Sequence, residues 1–230
     1  MKLATILPLG AIAFTAACGG SSTNSNTNAG TPEQTAQLQA FLTTGEDISD
    51  RIETFINDDE FGALPDNGDA SYSGVSLVVV GTGDPSDEGA DTSVDSIAVG
   101  SFEADVDFQR GELNGSATDF IEIANASEIF GIDTDEDDFD IKQIESGGAV
   151  SGTLDFEARG PDPVFSDLLA VGISGHLSDQ AGNTLTLQNL AGEAEFFGPD
   201  EDIVEIFAAD TLQLDNAETG FVSITAIGDK

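Results

Sequence analysis

The chain has 230 residues and carries 44 Asp and Glu against 6 Lys and Arg, a formal net charge of −38. Six basic residues cannot supply the cationic face that displaces counterions from nucleic acid, nor a polybasic patch for anionic lipid. With no Trp and one Tyr, the stacking platforms common in carbohydrate sites are missing as well.

Residues 1–17 read as a secretory signal peptide. Lys2 gives a short positive start, and Leu3 to Ala17 form an apolar run broken by Pro8 and Gly10, too short to span a bilayer and ending in small residues. The ending Thr15-Ala16-Ala17-Cys18 resembles a bacterial lipobox, with Thr15 where Leu is usual. In that motif the Cys is diacylated and the chain is cut just before it. Cys18 is the only cysteine, so it has no internal disulfide partner and the fold must hold without one. Two acyl chains anchor a protein stably without spanning the membrane. Gly19 after the Cys fits export to the outer membrane. Residues 18–30 then form the lipidated Cys and a Gly/Ser/Asn-rich tether, whose twelve residues after Cys18 have a mean reach of about 17–21 Å.

A helical segment is expected over 31–60. Thr31 can cap, Pro32 suits the first helical position, and Gln34 stands where a capping box needs it. Leu38, Phe41 and Leu42 share one face, and Ile48, Ile52, Phe55 and Ile56 another. Gly45 between them predicts two short helices over 32–57, covering part of the following domain or its mouth.

From residue 70 to 230 the period changes to two. Strands are expected at 72–81, 95–108, 112–123, 139–145, 149–158, 169–178, 184–197, 203–214 and 220–227. Phe102, Ala104, Val106 and Phe108 alternate with Glu103, Asp105 and Asp107. Turns fall at Gln109-Arg110-Gly111 and at 179–183, Gly147-Gly148 separates two strands, and Gly/Asp-rich loops fall at 82–94 and 124–138. Roughly eight strands with hairpin turns predict an all-β fold, an eight-stranded antiparallel up-and-down barrel, with a sandwich as the competing architecture. Glycines within strands favour the barrel, because tight curvature needs them.

Three segments carry a family resemblance. FEADVDFQRGELNG (102–115) is similar to the strand–turn–strand unit of transferrin-binding-protein-like surface lipoproteins, and AVSGTLDF (149–156) to a second copy of it. AGEAEFFGP (191–199) resembles that family's G-x-F-Y/F-G-P signature, with Gly198-Pro199 ending the strand. The next residues depart from the pattern: Asp200-Glu201-Asp202-Ile203 stands where Ala-Glu-x-x-Gly-Gly is usual. The resemblance implies an eight-stranded barrel on a lipid anchor. Its members bind host iron-carrier proteins, haem-related ligands or complement regulators through variable loops, so it implies fold and location but no site residues.

Candidate chemistry is sparse. After processing, His176 and Tyr72 are the remaining haem-ligand types, and His176 falls on the strand face opposite Val171, Ile173 and Leu177, which points it to solvent. Asp133, Asp135 and Asp137 occupy positions 1, 3 and 5 of a calcium-loop pattern, but Asp138 and Ile144 stand where Gly and Glu are required. That rejects an EF-hand and leaves a looser Ca²⁺ site or an exposed acidic turn. Asp84, Asp87, Glu88 and Asp91 form a weaker cluster. No nucleophile elbow, zinc spacing or phosphate loop is present. The expectation is a non-enzymatic, lipid-anchored outer-membrane barrel that binds a protein or small solute and no nucleic acid. The alternatives are an acidic structural envelope lipoprotein and a weak calcium-binding module.

Overall fold

Thr31 opens the first element through a reciprocal cap. Its Oγ1 accepts from the Gln34 N–H at 3.2 Å, and Gln34 Oε1 accepts from the Thr31 N–H at 2.7 Å. In the computed structural model, which describes residues 30–57, 64, 67–83, 93–126, 141–161, 168–213 and 219–230, helix α1 then runs unbroken over Pro32–Asn57. The two expected helices are therefore one. Gly45 does not end the helix. A Cβ there would lie 3.2 Å from Val75 Cγ2, so the glycine lets the helix press onto the strand beneath it.

Nine strands follow: β1 (Asp69–Thr82), β2 (Ser93–Asp107), β3 (Glu112–Ile123), β4 (Ser146–Ala149), β5 (Ser151–Pro161), β6 (Leu169–Ser178), β7 (Thr184–Phe197), β8 (Ile203–Gln213) and β9 (Thr219–Asp229). Every pairing is antiparallel, and β9 returns to β1, so the sheet closes. Strands β4 and β5 both pair with β3 and share one barrel position, interrupted at Val150, whose N–H donates to the Phe120 carbonyl at 2.8 Å. The result is an eight-position closed barrel, which excludes the sandwich.

The strand expected at 139–145 is corrected. Residues 139 and 140 lie outside the described residues, and Ile141–Gln143 form a single 3-10 turn. Ile141 and Ile144 stand three apart, the spacing of that turn, and the Ile144 N–H donates to the Ile141 carbonyl at 3.1 Å. Gly147-Gly148, expected to separate two strands, lie inside β4. The turn at Phe108–Gly111 and the one at 179–183 are where the sequence puts them; in the latter, Asn183 N–H donates to Asp179 Oδ1 at 2.8 Å. Strand glycines do allow the curvature. Gly152 has φ +123°, and a Cβ on it would overlap the His176 carbonyl oxygen of β6.

Alternation sorts the strands into two walls. The inner wall is apolar and filled: Phe102, Phe120, Phe156, Phe196, Leu113, Leu154, Ile173 and Ile206 are at most 1% exposed. Phe102 and Phe156 meet edge to face with centroids 5.4 Å apart. An eight-stranded barrel is just wide enough for such side chains to fill.

Among the described residues Phe207 stands exposed on β8, while the packed apolar part of the outer wall lies beneath α1. There Leu38 packs with Val79, Ile97, Val99 and Ile121, while Ile48 and Ile52 pack with Val75, Phe197, Ile203 and Ile227. The helix thus covers the side of the barrel. Beyond its footprint the outer wall carries Glu103, Asp105, Asn114, Asp155, Glu157 and Glu193. Apolar inside and charged outside is the reverse of a membrane-spanning barrel.

Candidate functional site

The strands give the barrel two ends. At the first are the start of β4 and the 179–183 turn, and the segments between β1 and β2 and between β3 and β4 connect there. At the second are the Phe108–Gly111 turn, the 198–202 turn and Lys230. Of the candidate residues, the described ones, Tyr72 and His176, do not converge.

Tyr72 lies inside, 2% exposed, near the second end. Its hydroxyl donates to the Glu201 carbonyl at 2.8 Å, and its ring centroid is 6.0 Å from that of Phe196. Burial, reinforced by the Glu201 and Asp202 carboxylates, holds the phenol well above its ordinary pKa. His176 is exposed on the outer face of β6, as its strand position predicts, opposite Thr153 and Thr186. The two haem-ligand types therefore stand on opposite sides of the wall. The calcium candidates Asp133, Asp135 and Asp137, the Asp84–Asp91 cluster and Cys18 lie outside the described residues. Among the described residues no group of three His, Cys, Asp or Glu is placed to hold a metal.

The structure reveals polar groups that sequence reading missed. Glu122 turns inward at the first end, where the Ser96 hydroxyl donates to it at 3.3 Å. Burial first, then the Asp179 carboxylate, raises its pKa, while the Ser96 bond opposes the shift. Asp119, with φ 56°, precedes Phe120 and coincides with a register shift in β3, which places Glu122 on the inner face. On the outer wall, Glu195 of β7 and Glu205 of β8 stand directly opposite each other. Burial beside Phe197, Ile203 and Ile227, and then the Glu195 charge, push Glu205 up to about 7. Alternation places each glutamate outside, but only the register makes them partners.

One open trough of about 500 Å³ crosses the outer wall between β1, β2 and β3. Ser71, Ser73, Glu103, Asp105, Asn114 and Ser116 line it, and the Ser71 hydroxyl donates to Asp105 Oδ1 at 2.6 Å. It is polar, shallow and acidic. By contrast, the described inner wall is packed with buried apolar side chains, with Ser76 buried among them. Among the described residues the arrangement presents a polar outer surface over an apolar interior.

No family model matches the chain, and no curated protein matches it. Among solved structures, the chain is similar to the vaccine antigen transferrin binding protein B of Haemophilus parasuis Hp5. For a double mutant of that protein the identity is 17% and the TM-score 0.39, over 74% of this chain and 27% of that one. For a single mutant the identity is 14% and the TM-score 0.33, over 72% and 27%. The chain spans about a quarter of those proteins' length.

Proposed function

We propose that the protein is a lipid-anchored outer-membrane protein that carries its barrel on a short tether and binds a protein partner on the barrel's outer surface. The carrying observation is the filled interior: Phe102, Phe120, Phe156 and Phe196 occupy the space a small solute would need. Recognition is left to the outer wall and the turns. The sequence supplies the anchor, with a signal, then Cys18, then a polar tether in that order. The charged outer wall supports anchoring over spanning. Catalysis has no support in the residues brought together, and the reading is of a binding protein.

The test is protease shaving of intact cells with lysed cells as control, beside metabolic palmitate labelling of wild type and Cys18→Ser. Labelling that disappears in Cys18→Ser and degradation in intact cells support the reading. Protection in intact cells but loss after lysis sinks the surface-receptor reading and favours a structural envelope protein.

A further inference from the structure

The described chain begins at a fixed point. The Gly30 N–H donates to the Ser146 carbonyl at 2.8 Å, and a Cβ on Gly30 would overlap the Ser146 side chain. Thr35 Oγ1 accepts from the Ser146 N–H at 3.3 Å, and Gln39 Nε2 donates to the Ile144 carbonyl at 3.2 Å. Leu38, fully buried, packs beside them against Ile144 and the outer wall. The start of α1 is therefore stapled to the first end of the barrel, where β4 begins. From there the helix descends the wall toward the second end, where Arg51 pairs with Asp229 at 2.6 Å.

Chain length then decides the posture. Twelve residues, 19–30, lead from Cys18 to this staple, Gly30 included. Their mean reach is about 17–21 Å, and about 40 Å fully stretched. Strands of 10 to 15 residues, tilted as barrels require, make the wall roughly 30–35 Å tall. For the second end to touch the bilayer, the tether would have to run almost fully extended along the barrel. Relaxed, it keeps the first end at the membrane.

We infer that the barrel stands with its first end toward the membrane and offers its second end, with the Phe108–Gly111 and 198–202 turns, to a protein partner. This rests on lipidation at Cys18. Four of the chain's six basic residues lie at or near that far end, each beside an acceptor. Arg51 pairs with Asp229, Arg110 lies 3.5 Å from Asp107, Arg159 lies 3.3 Å from Glu157, and Lys230 Nζ donates to the Asp200 carbonyl. Lys2 lies in the leader and Lys142 in the 3-10 turn before β4. Among the described residues the far end thus sets these four cations among more numerous carboxylates, Asp107, Glu112, Asp200 and Asp202 among them, which suits a protein face of mixed sign with a basic excess.

The experiment uses the full lipidated chain in vesicles containing nitroxide-headgroup lipid. Because the one native thiol is acylated, Gln109→Cys in the far turn and Ala181→Cys in the near turn each give a single dye site. Co-flotation with the vesicles tests the anchor separately. For anchored protein, we expect several-fold greater quenching at position 181 than at 109, and faster streptavidin capture of a biotin placed at 109. Equal or reversed quenching overturns the inference. Inserting 24 further Gly/Ser residues before Gly30 should shrink the difference, and an undiminished difference would also overturn it, since the tether would then not set the posture. Loss of flotation strikes the anchor reading instead.

Discussion

The barrel has two apolar packings with different jobs. The inner one fills a closed cylinder and draws on every strand except the short β4. The outer one is a stripe along one side, shared between α1 and the wall beneath it. The inner packing is what a closed eight-stranded sheet must have whatever the protein does. The outer packing exists because of one helix, and that helix begins where the proposed tether would end. Under that proposal, barrel stability and barrel attachment are separate physical features.

The largest expected effect tests the inner packing. Phe156→Ala, at a side chain with no exposure and an edge-to-face contact to Phe102, should cost about 3–5 kcal/mol of global stability. Denaturant titration should show a lower midpoint with α1 and the strands lost together. Leu38→Ala should cost about 2–5 kcal/mol in the contacts of α1, but as a local event. Hydrogen exchange should show α1 amides losing protection while the strands keep theirs. A global loss of strand protection in Leu38→Ala would show that the two packings unfold as one.

The inner wall was legible because its period is two and its turns carry the expected residues. The helix footprint was also visible in the sequence, as the places where alternation fails: Leu77 to Val80 and Ile97 to Val99 are apolar on both faces because both faces are covered. Gly45 misled because a glycine in a helical pattern reads as a stop, and its reason is a contact with Val75 thirty residues on. Ile141 and Ile144 misled because two isoleucines near a glycine pair fit a strand as easily as a turn. The Glu195–Glu205 pair was illegible in principle, since register belongs to the sheet and not to either strand.

That pair sharpens the comparison at the edge of the outer packing. Glu205 has a folded pKa of about 7, above its ordinary 4.5, so the folded state holds more protons than the unfolded state between these values. Stability should therefore fall as pH rises through 5 to 7, with the penalty full above 7. Glu205→Gln removes the ionisation. It should raise stability at pH 8 by about 1–2 kcal/mol, allowing for partial solvent screening, and flatten the pH dependence between 5 and 7. Urea midpoints at pH 5 and pH 8 for both proteins check this. An unchanged slope in the variant would mean that other carboxylates, Glu122 among them, carry the dependence.

The smallest effect concerns a place where the inner packing reaches the far end. Tyr72 sits among the inner side chains, yet its hydroxyl holds the carbonyl of Glu201, a residue at φ 51° in the turn proposed to face the partner. Tyr72→Phe keeps the ring contact with Phe196 and removes only that bond. The Glu201 carbonyl lies in a partly exposed turn where water can replace the donor, so the cost should be about 0.5–1.5 kcal/mol. The informative readout is local. If the bond ties the turn to the core, amide exchange in 198–202 should quicken while α1 and the strands are unaffected. If the turn keeps its protection, it is held from outside, by the Glu201 N–H to Gly198 carbonyl bond at 3.2 Å and by the Phe55 ring against Gly198. The far-end surface would then depend on the helix stripe, and mutations that loosen α1 would disturb both attachment and recognition.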